Sequence, residues 1–398
     1  MKILRLEIKG FRSLKDLLWE PDDLNVVIGP NATGKSNLLR LLELISISAR
    51  GGLGRYVQKW GGMEPLVWDG SAEEIAFRVK ASPMDYWRDP KKESLTYEVD
   101  MKRLGKTSSF NIAHELLGNF YHVEVGKRSE PFKLIERHYL KGVVFDENEK
   151  ELVAPVESLA EEETLLSMAS SPFSHNRHIP PFRAELATWC VYHDLHVNAD
   201  APIRQPVVAR PEKRVDADGQ NLISVLHTLY TGDREFKNIV NSAMRAAFGE
   251  DYDELVFPPA ADQRIQLRVR WKSLRREQSA GDLSDGTLRF LLLLAVLASP
   301  TPAPVIAIDE PETGLHPSML PIIAEYAVDA SQRAQIVFTT HSPQFLDAFH
   351  DTKPSTTVTK WREGQTVLKK LEGESLEYWL REYSLGSLFR SGELEDME

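Results

Sequence analysis

The sequence predicts an α/β protein whose single central sheet is assembled from two stretches lying far apart in the chain, with a large insertion between them. Three observations carry this. A glycine loop, GPNATGKS at 29–36, stands between an apolar strand and an apolar helix. A second apolar strand, VIAIDE at 305–310, ends in two adjacent acids. The stretch between them first alternates like antiparallel sheet, then turns helical and proline-rich, which fits an α/β core split by an insertion.

The opening MKILRLEIKGF alternates Leu4, Leu6 and Ile8 with Arg5, Glu7 and Lys9. That period of two predicts a strand and differs from the apolar block of a signal peptide. A second strand at 24–28 runs into the glycine loop. Leu38, Leu39, Leu41, Leu42 and Ile45 follow at helical spacing, so the loop opens a helix. After the link RGGLGRYVQKWGG, four segments predict a mainly antiparallel sheet: EEIAFRVKAS, LTYEVDMKRL, NFYHVEVGK and FKLIERHYLKG. From about 157 the pattern becomes helices (NLISVLHTLYTG, EFKNIVNSAMRAAFG) and proline-rich connections. A strand at 264–272 leads to AGDLSDGTLRFLLLLAVLAS and the acid-bearing strand. A helix near 318–332, the strand QIVFTTH and a short α/β tail close the chain. The expected organisation is therefore 1–156 with the loop and a β subdomain, 157–262 as a helical arm, and 263–398 with the acid pair.

The 398 residues suffice for a large core and two or three lobes. A net charge of -11 argues against general attraction to nucleic acid or anionic membranes, so DNA contact would need a local basic patch. The stretch RIQLRVRWKSLRR, 264–276, offers one: Arg264, Arg268, Arg270 and Lys272 alternate with Ile265, Leu267, Val269 and Trp271. It reads either as a solvated, ion-paired face or as a contact to a DNA backbone. A single cysteine, Cys190, excludes an internal disulfide and fits a reducing cytosol; in the half-buried strand ATWCVYHDL it is a weak nucleophile. The longest apolar run, 290–298, is too short to span a bilayer, and a cytoplasmic protein is expected.

Gly29, Gly34, Lys35 and Ser36 satisfy the pattern G-x-x-x-x-G-K-S. Glycines let backbone N–H groups curl around a phosphate, and the following helix adds its positive end. Lys35 would reach the β- and γ-phosphates of ATP, and the Ser36 hydroxyl would ligate Mg2+. Asp309, at the carboxyl end of a buried strand, would hold Mg2+ through a water. Adjacent residues on a strand face opposite ways, so Glu310 would act differently, orienting or deprotonating the attacking water. His341 ends the next apolar strand, where a neutral imidazole could hydrogen-bond the γ-phosphate. His316, in ETGLHP, has similar standing with less support. In LSDGT, Ser284 and Gly286 at the mouth of an apolar helix make a second anion site. One chain already has one cradle, so this suggests a site closed in trans by another copy.

In this order, GPNATGKSN, LSDGT, VIAIDEPETGLHP and FTTHSPQFLD resemble the ABC-type ATPases of the SMC/RecF group. More narrowly they are similar to the stand-alone AAA-type ATPases related to the OLD family. The opening LEIKGFRSLKD shares the likeness, which covers about the first fifty residues and 280–350. The resemblance implies a P-loop ABC-type ATPase head with an antiparallel β subdomain and a compact arm. It makes Gly29, Pro30, Asn31, Ala32, Thr33, Gly34, Lys35, Ser36 and Asn37 the nucleotide-binding Walker A loop. Arg12 matches a basic residue lying near the nucleotide. Ser284 and Gly286 become the signature, Asp309 and Glu310 the Walker B pair, and His341 the switch histidine. The glutamine loop that usually completes Mg2+ coordination has no counterpart assigned here.

Lys35 and Ser284 lie 249 residues apart, far more than in transporter subunits, and Asp285 stands where transporters have glycine. Only 57 residues follow His341, fewer than a TOPRIM domain needs, so nuclease chemistry would belong to a separate partner. The ending LGSLFRSGELEDME is similar to those of ATPases encoded beside a TOPRIM-like protein in antiphage defence. Expected partners are a second copy bound through the ATP sites, DNA, and such a nuclease; no membrane is expected. Two alternatives stay open: the ATPase subunit of an ABC transporter, and a scaffold that senses nucleotide without turning it over.

Overall fold

The computed structural model describes residues 1–82, 93–105, 108–121, 132–154, 158–169, 176–349, 352–372 and 384–393. The chain divides into two compact units. The first comprises Met1–Asp22, Gly29–Trp189 and Thr357–Lys370; the second comprises Asp23–Ile28, Cys190–Thr356 and Leu371–Glu398.

The first unit opens on a hairpin of β1 (Ile3–Phe11) and β2 (Leu14–Trp19). The next strand, β3 (Leu24–Ile28), belongs to the second unit and leads covalently into the glycine loop. The loop opens α1 (Lys35–Arg50), which is followed by α2 (Leu53–Lys59). An antiparallel series completes the predicted β subdomain: β4 (Glu74–Ala81), β5 (Glu93–Arg103), β6 (Phe110–Tyr121), β7 (Phe132–His138), β8 (Lys141–Asp146) and β9 (Glu151–Val153). Together with the hairpin they form one eight-stranded sheet in the order β2-β1-β4-β5-β6-β7-β8-β9. The period of two shows directly in β4, where Ile75, Phe77, Val79 and Ala81 are buried. β1 departs from its expected alternation. The register against β4 shifts between Ile3 and Arg5, so Ile3 turns inward and Leu4 outward.

FKLIERHYLKG, expected as one strand, is instead a tight hairpin. β7 and β8 turn at Tyr139, whose φ is 53°, and His138 pairs with Lys141. No glycine or proline marks that turn, which is why the pattern hides it. Part of NFYHVEVGK, 122–127, lies outside the described residues.

Two short helices, α3 (Leu165–Met168) and α4 (Ile179–Ala187), also belong to this unit. A buried polar network ties α3 to the sheet. Glu115 on β6 accepts hydrogen bonds from the Tyr97 hydroxyl (3.1 Å) and from the backbone N–H groups of Leu165 (2.6 Å) and Leu166 (2.8 Å). Arg137 donates to the carbonyls of Glu163 and Ala160, both at 2.6 Å. Burial pushes the Glu115 carboxyl above its ordinary range, and the two helix N–H groups oppose that shift.

The second unit holds β10 (Cys190–Tyr192), β11 (Val207–Val208), α5 (Leu222–Gly232), α6 (Arg234–Phe248), β12 (Tyr252–Val256), β13 (Arg264–Ile265), β14 (Arg268–Trp271), β15 (Gln278–Ser279) and α7 (Asp285–Leu297). β16 (Val305–Asp309), α8 (Leu320–Ser331), β17 (Gln335–Thr340) and α9 (Pro343–Asp347) follow. Four of its strands are parallel and run in the order β10-β16-β17-β3. Their apolar runs are buried on both faces, as a covered parallel sheet requires. The one polar residue in the body of β3, Asn25, donates to the Ile336 carbonyl at 3.1 Å. The leucine run of α7 is buried around its circumference, from Leu291 to Leu294 all at 0% exposure, so it is an interior helix. The chain then returns to the first unit as a hairpin of β18 (Ser355–Arg362) and β19 (Gln365–Lys370), and α10 (Leu385–Ser391) follows. The acidic ending 394–398 lies outside the described residues.

The expected strand at 264–272 is broken in two. β13 pairs with β11 and β14 with β12, so the segment serves two different small sheets. Its basic side chains are matched by acids. Arg270 pairs with Glu254 and with Glu277 (2.7 Å), Arg268 with Glu277 (3.9 Å), and Lys272 with Glu250 (3.8 Å). These ion pairs agree with the solvated, ion-paired face that is one of the two readings of the segment. Among the described residues no helix is long and apolar enough to cross a membrane.

Replacing Glu115 with alanine strips α3 of two acceptors and leaves the buried Arg137 charge uncompensated. Glu115→Ala is expected to lower the unfolding free energy by about 3–5 kcal/mol, read as a fall in the urea midpoint at unchanged slope. A midpoint equal to that of the unmodified chain would show that the network carries no stability.

Candidate functional site

The candidate residues fall into two groups, one in each unit. In the first unit, Gly29 and Gly34 take φ values of +143° and +102°, and Ala32 takes +64°. These left-handed positions bend the segment into a loop that an ordinary side chain would strain at both glycines. Lys35 is buried, and its ammonium donates to the carbonyls of Gly29 (2.8 Å) and Pro30 (3.0 Å). Residues 29–34 thus fold as one tight loop that runs straight into α1. α1 begins on Gly34, which offers no side-chain cap. Asn31 and Ala32 stand exposed at the rim, and Ser36 and Asn37 are partly exposed.

Arg12 follows β1 with φ 49°, and its backbone N–H donates to the Leu66 carbonyl at 2.7 Å. Its guanidinium stacks on the Trp60 ring at 4.4 Å, and Arg40 from α1 approaches the same ring at 4.9 Å. Arg12 Nε and Nη2 are buried without a hydrogen-bond partner among the described residues. Burial, and then the charge of Arg40, hold the guanidinium below its ordinary pKa. Two crowded cations and unmatched donors make this corner attractive to an anion.

In the second unit, Asp309 closes β16. Its Oδ1 accepts the Thr339 hydroxyl, and its Oδ2 lies 3.4 Å from His193 Nδ1. β10 places His193, because Tyr192 is in register with Ile308. Glu310 takes φ 47°, out of the strand that ends at Asp309, and its N–H donates to the Thr339 carbonyl at 3.0 Å, so the alternation expected to separate the two acids does not extend to Glu310. His341 Nδ1 sits 3.1 Å from Glu310 Oε1 and 4.0 Å from Glu312 Oε1. Glu312 accepts the Thr340 hydroxyl at 2.5 Å, and burial raises its pKa. Arg289 is held below its ordinary pKa by burial, against the pull of Asp194, Glu312, Glu310 and Asp285. The structure therefore places Asp309, Glu310 and His341 near one another in the second unit.

Ser284 caps α7: its hydroxyl accepts from Thr287 N–H at 3.1 Å. Gly286 lies so near the following turn that a Cβ there would meet the Gly314 carbonyl at 2.6 Å. Asp285 pairs with Arg204, a buried guanidinium that also donates to the carbonyls of Val197 (2.8 Å), Ala280 (3.0 Å) and Leu283 (2.7 Å). His316 has a local role, capping the turn at 317–319 with Nδ1 2.8 Å from Ser318 Oγ.

Sequence reasoning passed over His193, Arg204, Glu312 and Thr339. His193 follows an apolar trio much as His341 follows its own strand, a faint signal. Glu312 stood in plain view as the third acid of DEPE. Nothing local marks Arg204, since Asp285 and the loop carbonyls of Ala280 and Leu283 that it joins lie about 80 residues away.

A parallel sheet carrying a glycine loop and a Walker-type acid pair, together with an antiparallel β subdomain, defines a P-loop ATPase head of the ABC type. Residues 24–347 match the family model described as AAA domain, putative AbiEii toxin, type IV TA system, and the chain belongs to that AAA-domain family. No curated protein matches the sequence. Among solved structures the chain is similar to an SMC head bound to the C-terminal winged-helix domain of ScpA. That pair has 13% identity and a TM-score of 0.56 over 95% of this chain and 100% of the other. It is also similar to an SMC head with an extended coiled coil, bound to the C-terminal domain of ScpA, derived from Pyrococcus furiosus. Here identity is 11% and the TM-score 0.50, over 96% of this chain and 98% of the other. At such identities the likeness is one of fold.

Gly286→Ala drives a methyl group against a backbone carbonyl that cannot rotate away. The substitution is expected to cost about 1–3 kcal/mol, measured by thermal unfolding. An unshifted transition would mean that the turn carrying Gly314 yields freely.

Proposed function

We propose that this chain binds ATP with Mg2+ at the 29–36 loop and hydrolyses it, with two copies enclosing two nucleotides. The observation that carries this reading is the level ending of the parallel strands. Tyr192 is in register with Ile308, Asp309 with Thr339, and Thr340 with Ile28. The residues beyond those ends in the second unit are His193, Glu310 and His341, with Asp309 closing its strand, and β3 continues along the chain into the glycine loop. In open α/β sheets ligands bind beyond the carboxyl ends of the strands.

The residues fit the groups the reaction needs. Ser36 and Asp309 offer the hard oxygen donors that Mg2+ prefers, and Thr339 and His193 hold the Asp309 carboxylate in place. The magnesium ion, when bound, neutralises charge on the β- and γ-phosphates. Lys35 and the N–H groups at the start of α1 bind the phosphates, and Arg12 adds a cation with unmatched donors. Glu310 accepts a proton from the attacking water. The water oxygen bonds to the γ-phosphorus as the bond to the β–γ bridging oxygen breaks, and ADP leaves. His341, now beside Glu310, would hydrogen-bond the γ-phosphate and report its loss.

Ser284 and Gly286 would close the site of a second copy. The coupled output is the gating of DNA or of a separately encoded effector, such as a TOPRIM-like nuclease in antiviral defence. The family description, naming a putative toxin of a type IV system, and the SMC heads solved with a bound ScpA domain lend support to an effector partner.

Glu310→Gln is expected to keep ATP binding while multiple-turnover phosphate release falls about 100-fold or more. Light scattering should then show the dimer accumulating with ATP. Normal turnover by this variant would refute the role given to Glu310. Lys35→Ala, in contrast, is expected to lose ATP binding itself in a direct titration, and retained affinity would remove the loop from the reading.

A further inference from the structure

The phosphate loop is gripped from behind by a segment more than 300 residues away in sequence. In the β18–β19 hairpin Trp361 is paired with Thr366, so Thr359, two residues before Trp361, shares a face with Thr366. Both threonines are buried, at 0% and 1% exposure. The Thr359 hydroxyl meets that of Thr33 at 2.5 Å, and Thr33 Oγ1 lies 2.8 Å from the Pro30 carbonyl. Thr366 Oγ1 lies 2.8 Å from the Thr33 carbonyl and 2.7 Å from Ser13 Oγ. Ser13 Oγ in turn accepts from Asn37 Nδ2 at 2.8 Å, and the Ser13 carbonyl accepts from Thr366 N–H at 2.8 Å.

Counting protons orients these contacts. A carbonyl only accepts and a hydroxyl has one proton to give. Thr33 therefore donates to Pro30, and Thr359 donates to Thr33. The Thr366 hydroxyl is the donor both to the Thr33 carbonyl and to Ser13 Oγ, so its single proton is shared between them. Thr33 and Thr366 thus each place a hydroxyl donor on a carbonyl of the loop. In a planar trans peptide the C=O and N–H point in opposite directions. Anchoring the Pro30 and Thr33 carbonyls thus turns the N–H groups of Asn31 and Gly34, which share those planes, the other way.

The glycines take on a second meaning. A Cβ on Gly34 would lie 2.0 Å from Thr366 Oγ1 and 2.7 Å from Ser13 Oγ. One on Gly29 would lie 2.4 Å from Thr359 Oγ1. Both glycines admit the hairpin as well as the phosphate.

We propose that Ser13, Thr359 and Thr366 are positioning residues of the nucleotide site, holding the loop with its N–H groups presented before ATP arrives. The inference rests on the ATP-binding reading above. Pre-orienting the donors removes an ordering cost from binding, so the effect belongs in affinity more than in turnover.

The test uses the full chain with ATP–Mg2+ as probe. Thr366→Val keeps the shape and removes the hydroxyl. It is expected to raise the Kd and KM for ATP about tenfold while kcat at saturation stays within about twofold. Thr366→Ser should restore the affinity, and the melting temperature of the nucleotide-free chain should change little. Ser13→Ala removes the partly exposed oxygen on which both Thr366 Oγ1 and Asn37 Nδ2 are anchored, is expected to weaken ATP affinity in the same direction, and decides the matter should Thr366→Val fail to fold. Unchanged ATP affinity in the folded variants, or a fall in kcat at constant KM, overturns the inference and leaves the functional reading standing. An unmodified chain that binds no ATP overturns both.

Discussion

The parallel pairing of β3, β17, β16 and β10 is the constraint from which the rest of the second unit follows. These strands are mostly apolar and buried, so they gain from burial on both faces and lose from any slip that would bring polar end residues inward. Register is therefore tightly set. With register set, whatever follows each strand emerges at one end of the sheet, where no further ladder demands backbone bonds. Chemistry collects there because polar groups can be housed there without breaking the core.

The ends of those strands are held by side-chain hydrogen bonds of a consistent kind. Thr339 and Thr340, buried on β17, give their hydroxyl protons to Asp309 and Glu312 respectively. Each carboxylate is thereby oriented by a strand hydroxyl that is itself locked by packing. Arg204 does similar work for the LSDG turn, where one guanidinium satisfies several loop carbonyls that would otherwise be buried without donors. In the first unit, hydroxyls of the β18–β19 hairpin do it for the glycine loop. Short, polar, well-packed side chains stiffen loops whose glycines would otherwise leave them loose.

Legibility in the sequence followed the range of the interaction. The glycine loop, the acid pair, the α7 run and the antiparallel β subdomain all depend on local periodicity or on near-neighbour spacing, and all stand where the pattern put them. The misreadings share a cause. The turn at Tyr139 has no breaker residue, and the split of 264–272 is imposed by two different partner strands. The acids that pair with Arg268 and Arg270 could not be named from the sequence, because Glu254 and Glu277 face them only once β12, β14 and β15 are paired.

By itself the sequence determined the class of fold and the residue types gathered at the candidate site. Those properties reside in residue types at short spacing, and short spacing maps onto helices, strands and turns without knowledge of the rest. The tertiary structure alone decided which distant groups support them. His193 meets Asp309 across 116 residues, and Thr366 meets the Thr33 carbonyl across 333. Such contacts leave no period in the chain, because they exist only once register and packing have brought their strands side by side.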